Sequence, residues 1–231
     1  MQFKYILNVI FFLQDDKDFI EKVQESQSVI KECFEKYNDN EIAIAFNGGK
    51  DCMALLHLTH AFKQSKSDGS KLQALYIRES DPFPKVEEFI GQCVKMYNLD
   101  LVTIQGSMKE ALSKMLNDRS SIKAMLMGTR QGDPGSKGQT HFSPTDGNWP
   151  KVMRVNPILH WEYAQVWTFL RGLTLPYPIY YDQGYTSLGG INNTSPNPNL
   201  ATDDKSGMKF KPAYELEDGS LERAGRGKKA S

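Results

Sequence analysis

Short apolar runs alternate with segments of helical length along most of this chain, and no other feature constrains its fold as strongly. The runs with the length of buried strands are residues 41–46, 71–78, 99–104 and 122–130. The segments between them that have helical composition or helical apolar spacing are residues 52–62, 85–97 and 108–116. Such alternation is typical of βαβ units, in which helices flank parallel strands. The sequence therefore predicts a Rossmann-like α/β fold with three layers, α/β/α, around a mostly parallel sheet.

The two ends of the chain have a different character. Apolar residues at helical spacing predict a helix over residues 19–37, and the apolar run at 6–13 is interpreted as part of a first helix or strand. A loop rich in Gly, Pro and Ser covers 131–150, before an extended segment at 152–159. An amphipathic helix over 160–172 follows, and the rest of the chain is loop-like.

The charge balance argues against a general attraction to nucleic acid. Lysine plus arginine and aspartate plus glutamate number 28 each, so any anion must be bound by a local site. Cys33, Cys52 and Cys93 lie far apart, which suits a reducing compartment and excludes the usual zinc and disulfide frameworks. The run at 6–13 is too short to span a bilayer. These features predict a cytoplasmic monomer that binds neither nucleic acid nor membrane.

Two glycines, a lysine and an aspartate separate the first apolar run from the helical segment after it. Ligands of open parallel sheets bind at the carboxyl ends of strands, and glycine amides beside a helix N-terminus suit a phosphate. The residues alone also allow a plain turn in which Asp51 caps the helix. A Walker A loop does not fit, because Ile44 and Asp51 stand where it needs a glycine and a hydroxyl residue, and the dinucleotide fingerprint G-x-G-x-x-G is also missing.

The segment NGGKDC at 47–52 resembles the pyrophosphate loop S-G-G-x-D-S of the N-type ATP pyrophosphatases and PAPS-reductase-like proteins. The motifs YIR, GTR-x-x-DP, FSPTD, NPIL-x-W, GYTSLG and ERAGR follow in order, and with them the chain is similar to the eukaryotic FAD synthases (FMN adenylyltransferases) from about residue 41 to 226. The resemblance implies an adenine nucleotide alpha-hydrolase-like fold. It also implies the substrates ATP and FMN, the product FAD and a requirement for Mg²⁺.

The resemblance assigns the ATP site to the first half of the chain. Backbone amides of Gly48 and Gly49, with Lys50, would hold the pyrophosphate half of ATP. Asp51 and Asp133 would be the metal residues, since Mg²⁺ prefers carboxylates and phosphate oxygens. On its own, Asp133 in its D-P pair is equally an ordinary turn residue. The remaining ATP contacts implied are Phe46, Asn47 and Ile77, the last against the adenine.

Flavin contacts are implied for the segment 128–156. Asp146, Trp149 and Arg154 would hold the isoalloxazine ring and the phosphate, because an aromatic face can stack on the ring and a carboxylate can accept its imide N–H. The residues alone also allow a surface loop with a half-buried tryptophan. Further contacts implied are Gly128, Thr129, Arg130 and Asp133. Where relatives usually carry a second arginine and then Ser or Thr, this chain has Gln131 and Gly132.

The C-terminal segment ERAGR is implied to be catalytic. Arg223 and Arg226 match two arginines of the family and would lie one turn apart if the segment were helical. They would neutralise charge on the departing pyrophosphate, so the catalytic set implied is Asp51, Asp133, Arg223 and Arg226. We therefore expect an ATP-binding core over residues 1–171 and a loop-rich extension over 172–231 that contributes the arginines.

Other functions of the same fold need residues that this chain does not offer. A PAPS reductase needs a nucleophilic cysteine near its C-terminus, and no cysteine follows Cys93; a tRNA-thiolating relative would show C-x-x-C pairs. FAD synthesis needs no general base, because the second pKa of a phosphate monoester is about 6. Trp161 and Trp167 are expected to lie in the core, and four side chains are expected to be structural or at the surface: His57, His60, His141 and His160. A non-enzymatic nucleotide sensor is the alternative from another class.

Overall fold

The computed structural model describes residues 16–66, 69–202 and 209–227, in which five α-helices and six β-strands follow the predicted alternation. The strands are β1 (Ile42–Ala45), β2 (Leu72–Arg78), β3 (Leu99–Gln105), β4 (Ala124–Leu126), β5 (Phe142–Pro144) and β6 (Met153–Val155). The helices are α1 (Lys17–Lys36), α2 (Lys50–Lys66), α3 (Pro84–Met96), α4 (Met108–Asp118) and α5 (Tyr163–Gly172). The apolar run at 6–13, interpreted as a helix or strand, lies outside the described residues.

The strands form one sheet in the order β3-β2-β1-β4-β6-β5, and only β5 runs antiparallel to its neighbour. The α/β fold with a mostly parallel sheet is therefore confirmed. Ile42, Ala43 and Ile44 of β1 are buried on both faces, as expected of a central parallel strand. The chain leaves β1 toward β2 on one side, whereas β4 lies on the other side. This reversal places a topological switch point, the usual ligand site of such sheets, between the ends of β1 and β4.

Local sequence explains where several helices begin. Asp16 accepts a hydrogen bond from the Phe19 amide at the start of α1, and Ser107 and Glu110 form a capping box at the start of α4. Pro84 occupies the first turn of α3, where no intrahelical donor is lost. The observed helix and strand limits lie within a few residues of the predicted ones for this reason.

Helices cover the two faces of the sheet unequally. One face packs against α1, α2, α3 and α5 in a large apolar core that includes Trp161 and Trp167, which confirms that both tryptophans are buried. On the other face α4 forms a smaller cluster through Ala111, Leu112 and Met115. Part of that second face, beyond α4, is therefore left for a cavity.

The segment predicted as a loop at 131–150 contains a strand that the sequence did not indicate. Phe142–Pro144 forms β5 and pairs antiparallel with β6, the strand Met153–Val155. Three residues that include a serine and a proline show no alternating pattern, and Pro144 is tolerated because β5 is an edge strand. The extended segment expected at 152–159 is a strand only through Val155, after which the chain turns.

The segment after α5 has no α-helix or β-strand of its own among the described residues, as predicted, but it is well packed. Its described residues include five short 3₁₀ helices. The side chains of Leu200, Ala213 and Leu216 pack into the large core. The buried Asn197 side chain donates hydrogen bonds to Thr186 Oγ1 and to the Leu221 carbonyl. These contacts hold the C-terminal residues against the body of the protein.

Among the helices that the structure describes, none combines the length and the apolar character needed to cross a membrane.

Candidate active site

A large concave cavity, called the basin below, opens at the carboxyl ends of β1, β2 and β4 and has a volume of about 510 Å³. Its position is the one that the strand order predicts for a ligand. Many residues implied by the resemblance line it: Phe46, Asn47, Gly49, Lys50, Asp51, Ile77, Gly128, Thr129, Asp133, Arg223 and Arg226. Phe46 and Arg226 are 180 positions apart in the sequence, and both line this one cavity.

The turn after β1 has the geometry of an anion-binding loop. Gly48 has a φ of 76° and would meet Ile90 Cγ1 of α3 at 3.1 Å if it carried a Cβ, so this position requires glycine. Asn47 Oδ1 accepts a hydrogen bond from the Gly49 amide, and the Tyr181 hydroxyl accepts one from the Lys50 amide at 3.0 Å. Helix α2 begins at Lys50, and its partially positive N-terminus therefore faces the basin.

Lys50 is one of two cations buried at the floor of the basin. It is only 2% exposed. Its Nζ lies 3.1 Å from Asp51 Oδ2 and 3.3 Å from Glu222 Oε2, and 5.1 Å above the ring of Tyr163. A buried ammonium is tolerated here because two carboxylates neutralise it.

Arg130 is the other buried cation. Its Nε lies 2.7 Å from Asp51 Oδ1, and its Nη2 lies 2.5 Å from Glu222 Oε2. The Arg130 backbone amide donates to Asp133 Oδ2 at 2.7 Å. Asp51 and Glu222 thus each bridge both cations. We call these five residues the ionic cluster: Lys50, Asp51, Arg130, Asp133 and Glu222.

The surroundings shift the pKa values of Asp51 and Asp133 in opposite directions. Burial opposes ionisation of Asp51, but Lys50 and Arg130 outweigh it and lower the pKa of that carboxyl. Burial raises the pKa of Asp133, although the hydrogen bond and charge of Arg130 work against this. Asp51 is therefore held as the carboxylate, while Asp133 ionises less readily in the absence of another cation.

The carboxylates of the basin offer oxygen ligands of the kind that Mg²⁺ prefers. Asp133 is the better placed of the two predicted metal residues. It lines the basin, and its Oδ1 lies as far as 4.0 Å from the cationic Arg130 Nη2. Both oxygens of Asp51 already lie within 3.1 Å of a cation. The donor set fits a magnesium ion that is shared with a bound phosphate.

Two arginines of the C-terminal segment complete the rim of the basin. The segment is not helical; a turn with an Arg226 amide to Arg223 carbonyl hydrogen bond leads into a bridge between Arg226 and Thr194. Arg226 donates to the Leu188 carbonyl at 2.7 Å, and burial together with Arg223 lowers its pKa. Arg223 is exposed, and its side chain forms no hydrogen bond or ion pair with another described residue. It is available to a ligand.

A second, mainly apolar cavity of about 270 Å³ adjoins the basin, and we call it the apolar pocket. It occupies the part of the sheet face that α4 leaves uncovered, between Leu112 and the β5–β6 hairpin. Trp149 and Arg154 line it, and Met127 and Thr129 belong to the walls of both cavities. A flat apolar group in this pocket would therefore lie beside a charged group in the basin.

Three of the residues predicted to contact a substrate do not line either cavity. Gly48 is buried behind the turn, and Arg130 lies in the ionic cluster beneath the floor of the basin. Asp146 stands beside the apolar pocket with its side chain 83% exposed, and it pairs with Arg154 at 3.1 Å. Because most of the carboxylate is exposed to solvent, a ligand can reach it in spite of the ion pair with Arg154.

Two residues that shape the site were missed by the sequence analysis. Glu222 lies in the ERAGR motif that suggested the arginines, so the motif held a signal for it. Nothing in the sequence marked Tyr181, whose buried hydroxyl fixes the first turn of α2.

The thiol and histidine groups of α2 are unsuited to covalent or acid–base chemistry. Burial raises the pKa of Cys52 to about 12 and lowers that of His57 to about 4. A thiol with so high a pKa stays protonated and is a poor nucleophile. His57 is a structural residue, since its Nδ1 lies 3.3 Å from the Tyr97 hydroxyl.

Comparison with known proteins agrees with this geometry. The family model described as the phosphoadenosine phosphosulfate reductase domain matches residues 41–121 and 105–196. A probable FAD synthase of Schizosaccharomyces pombe is 41% identical over 203 residues, which are 85% of this chain and 76% of the relative. One from Caenorhabditis elegans is 42% identical over 90% of this chain, but the match spans only 41% of that longer relative.

Solved structures extend the comparison to three dimensions. The crystal structure of Candida glabrata FMN adenylyltransferase in complex with FMN and the ATP analogue AMPCPP superposes with a TM-score of 0.84 at 29% sequence identity. The superposition covers 92% of this chain and 89% of the other. Another structure of the Candida protein contains FAD and inorganic pyrophosphate, with a TM-score of 0.83.

The ionic cluster predicts that Glu222→Gln lowers the free energy of unfolding by about 3 kcal/mol, because two buried cations lose a shared countercharge. Urea denaturation measures this change. Glu217→Gln is the matched control, since Glu217 is exposed on the same segment, and it should alter stability by less than about 0.5 kcal/mol. Equal stability of the two variants would contradict the structural role of Glu222.

Proposed function

Since this chain belongs to the phosphoadenosine phosphosulfate reductase domain family and, within it, is related to the FAD synthases, we propose that it transfers the adenylyl group of ATP to FMN. The products are FAD and pyrophosphate, and the reaction is the last step of FAD synthesis. The observation that carries the proposal is that the basin and the apolar pocket share walls. ATP bound in the basin and the isoalloxazine ring of FMN bound in the apolar pocket would place the phosphates of the two substrates side by side.

The phosphate of FMN is the nucleophile. Its second pKa is about 6, so it is largely a dianion at neutral pH and needs no base. One of its oxygens attacks the α-phosphorus of ATP, and the bond from that phosphorus to the bridging oxygen of the β-phosphate breaks. Pyrophosphate leaves with the electron pair of that bond. The protein's task is therefore to align the two phosphates and to neutralise charge.

Groups for both tasks surround the basin. The N-terminus of α2 would receive the β- and γ-phosphates, with Lys50 beneath them. Arg223 at the open rim would stabilise the charge that develops on the leaving pyrophosphate. Mg²⁺ held by Asp133, with Asp51, would neutralise phosphate oxygens when it is bound.

The flavin half of the substrate fits the apolar pocket. Met125, Met127 and Val152 offer apolar contacts, and Trp149 offers an aromatic face at the pocket wall. Asp146 lies outside the wall, where it could accept the imide N–H at the polar edge of the ring. Arg154 would then lie between the ring and the solvent.

The direct test is turnover. With Mg²⁺ the purified chain should convert ATP and FMN into FAD and pyrophosphate in equal amounts, and chelation of Mg²⁺ should stop the reaction. Riboflavin should not replace FMN, because it lacks the attacking phosphate. Tight binding of both substrates without turnover would instead indicate a nucleotide sensor, and efficient use of riboflavin would exclude the proposed chemistry.

Arg223→Ala should lower kcat by a factor of about 100 or more, because the variant loses a direct stabiliser of the leaving group. Its thermal stability should stay that of the parent, since the Arg223 side chain makes no hydrogen bond or ion pair with another described residue. Lys71→Ala is the control for loss of one exposed positive charge far from the basin. Full activity of Arg223→Ala would remove that residue from the reaction.

Asp146→Ala should weaken FMN binding about 10-fold or more and leave ATP binding unchanged, because the proposed contact is a hydrogen bond from the ring to a charged group. Calorimetric titration of each ligand measures both affinities. Asp118→Ala, at an exposed carboxylate of α4, should change neither. Parallel losses for ATP and FMN would place Asp146 outside the flavin site.

A further inference from the structure

A second cluster of chemically reactive side chains lies away from both cavities, where α1 meets the segments around the β5–β6 hairpin. Glu25 belongs to α1, His141 immediately precedes β5, and His160 lies three residues before α5. One possible ligand atom from each lies within 4.8 Å of the other two. None of the three residues lines the basin or the apolar pocket.

The three possible ligand atoms are close enough together to surround one metal ion, and in the ion-free cluster Glu25 also hydrogen-bonds to His160. Glu25 Oε1 lies 3.1 Å from His141 Nε2, and Glu25 Oε2 lies 3.0 Å from His160 Nδ1. A tetrahedral zinc ion with bonds of about 2.0–2.2 Å holds its ligand atoms roughly 3.4 Å apart. The two imidazole rings also lie close, with their centroids 4.9 Å apart at 70°.

A hydrogen bond to the backbone determines which nitrogen of His141 is free. Nδ1 lies 2.9 Å from the carbonyl oxygen of Asn156, and a carbonyl can only accept, so Nδ1 carries the proton. In the neutral ring Nε2 therefore presents a lone pair. Metal-binding histidines are oriented in this same way by a backbone carbonyl or carboxylate behind the ring.

The lone pair on His141 Nε2 is left without a partner. Nε2 is buried and makes no hydrogen bond with any described residue, although Glu25 Oε1 is close to it. A lone pair next to a negatively charged oxygen is unfavourable unless a cation lies between them. The cluster thus contains a buried donor atom and a carboxylate oxygen that a shared cation would join.

We propose that Glu25, His141 and His160 bind one divalent transition-metal ion of the zinc class. Two imidazoles and a carboxylate are a common ligand set for Zn²⁺, and imidazole is a poor ligand for Mg²⁺ and Ca²⁺. The exposed sides of Glu25 and His160 leave a further position for water. The ion ties α1 to the β5–β6 hairpin, which carries Asp146 and Trp149.

Cobalt titration of the chelator-treated full chain tests the site independently of catalysis. We expect one equivalent of Co²⁺ to produce a visible absorption band stronger than that of the hydrated ion, Zn²⁺ to displace it, and Zn²⁺ to raise the melting temperature. His160→Gln and Glu25→Gln change partly exposed side chains and so preserve the fold. Each should weaken Co²⁺ binding by about 100-fold or more and abolish the thermal shift.

Two further variants locate the bound ion. His60→Gln, at a partly exposed histidine of α2, should keep the band and the thermal shift. Asp133→Asn should also keep them, because that carboxylate belongs to the basin. A band that survives His160→Gln and disappears with Asp133→Asn would overturn the proposal. Failure of the parent chain to bind Co²⁺ or Zn²⁺ in a one-to-one ratio would overturn it as well.

Discussion

The ion pairs around Lys50 and Arg130 are the interaction on which the rest of the structure depends. Burying two cations and three carboxylates carries a desolvation cost that only mutual contact can offset. Each carboxylate that bridges the cations comes from a different part of the chain, Asp51 from the start of α2 and Glu222 from the C-terminal segment. The cluster therefore fixes the glycine turn before α2, the loop after β4 and the C-terminal segment relative to one another.

The second constraint is the unequal coverage of the sheet. Four helices pack on one face and α4 alone on the other, so apolar side chains of β4 and of the strands beside it line a cavity instead of a closed core. Such a cavity would be costly if it existed only for the fold, because unfilled apolar space loses dispersion contacts. A flavin ring would recover those contacts on binding. The same arrangement explains why the charged and the apolar parts of the site lie side by side.

Local patterns in the sequence were enough for the fold, and the motifs of the family resemblance named many of the residues that line the basin. The alternation of apolar runs with helical segments predicted the parallel sheet, and the glycine turn before Lys50 predicted a ligand loop at the end of β1. The ERAGR motif contains Glu222, but its contacts with Lys50 and Arg130 could not be predicted, because these partners are distant in sequence. The strand β5 was not predicted for another reason, because its three residues are too few to show an alternating pattern. Arg130 was predicted as a flavin contact from its motif, whereas in the structure its guanidinium is paired with Asp51 beneath the floor of the basin.

The dependence of the cluster on Glu222 also has a consequence for synthesis on the ribosome. The strands and helices up to α5 can begin to pack as they emerge, because domains fold from the N-terminus during translation. Until residue 222 has left the exit tunnel, however, Lys50 and Arg130 share one bridging carboxylate, Asp51, where the finished protein has two. A nascent chain can thus acquire its sheet before the glycine turn ahead of α2 reaches its final electrostatic state.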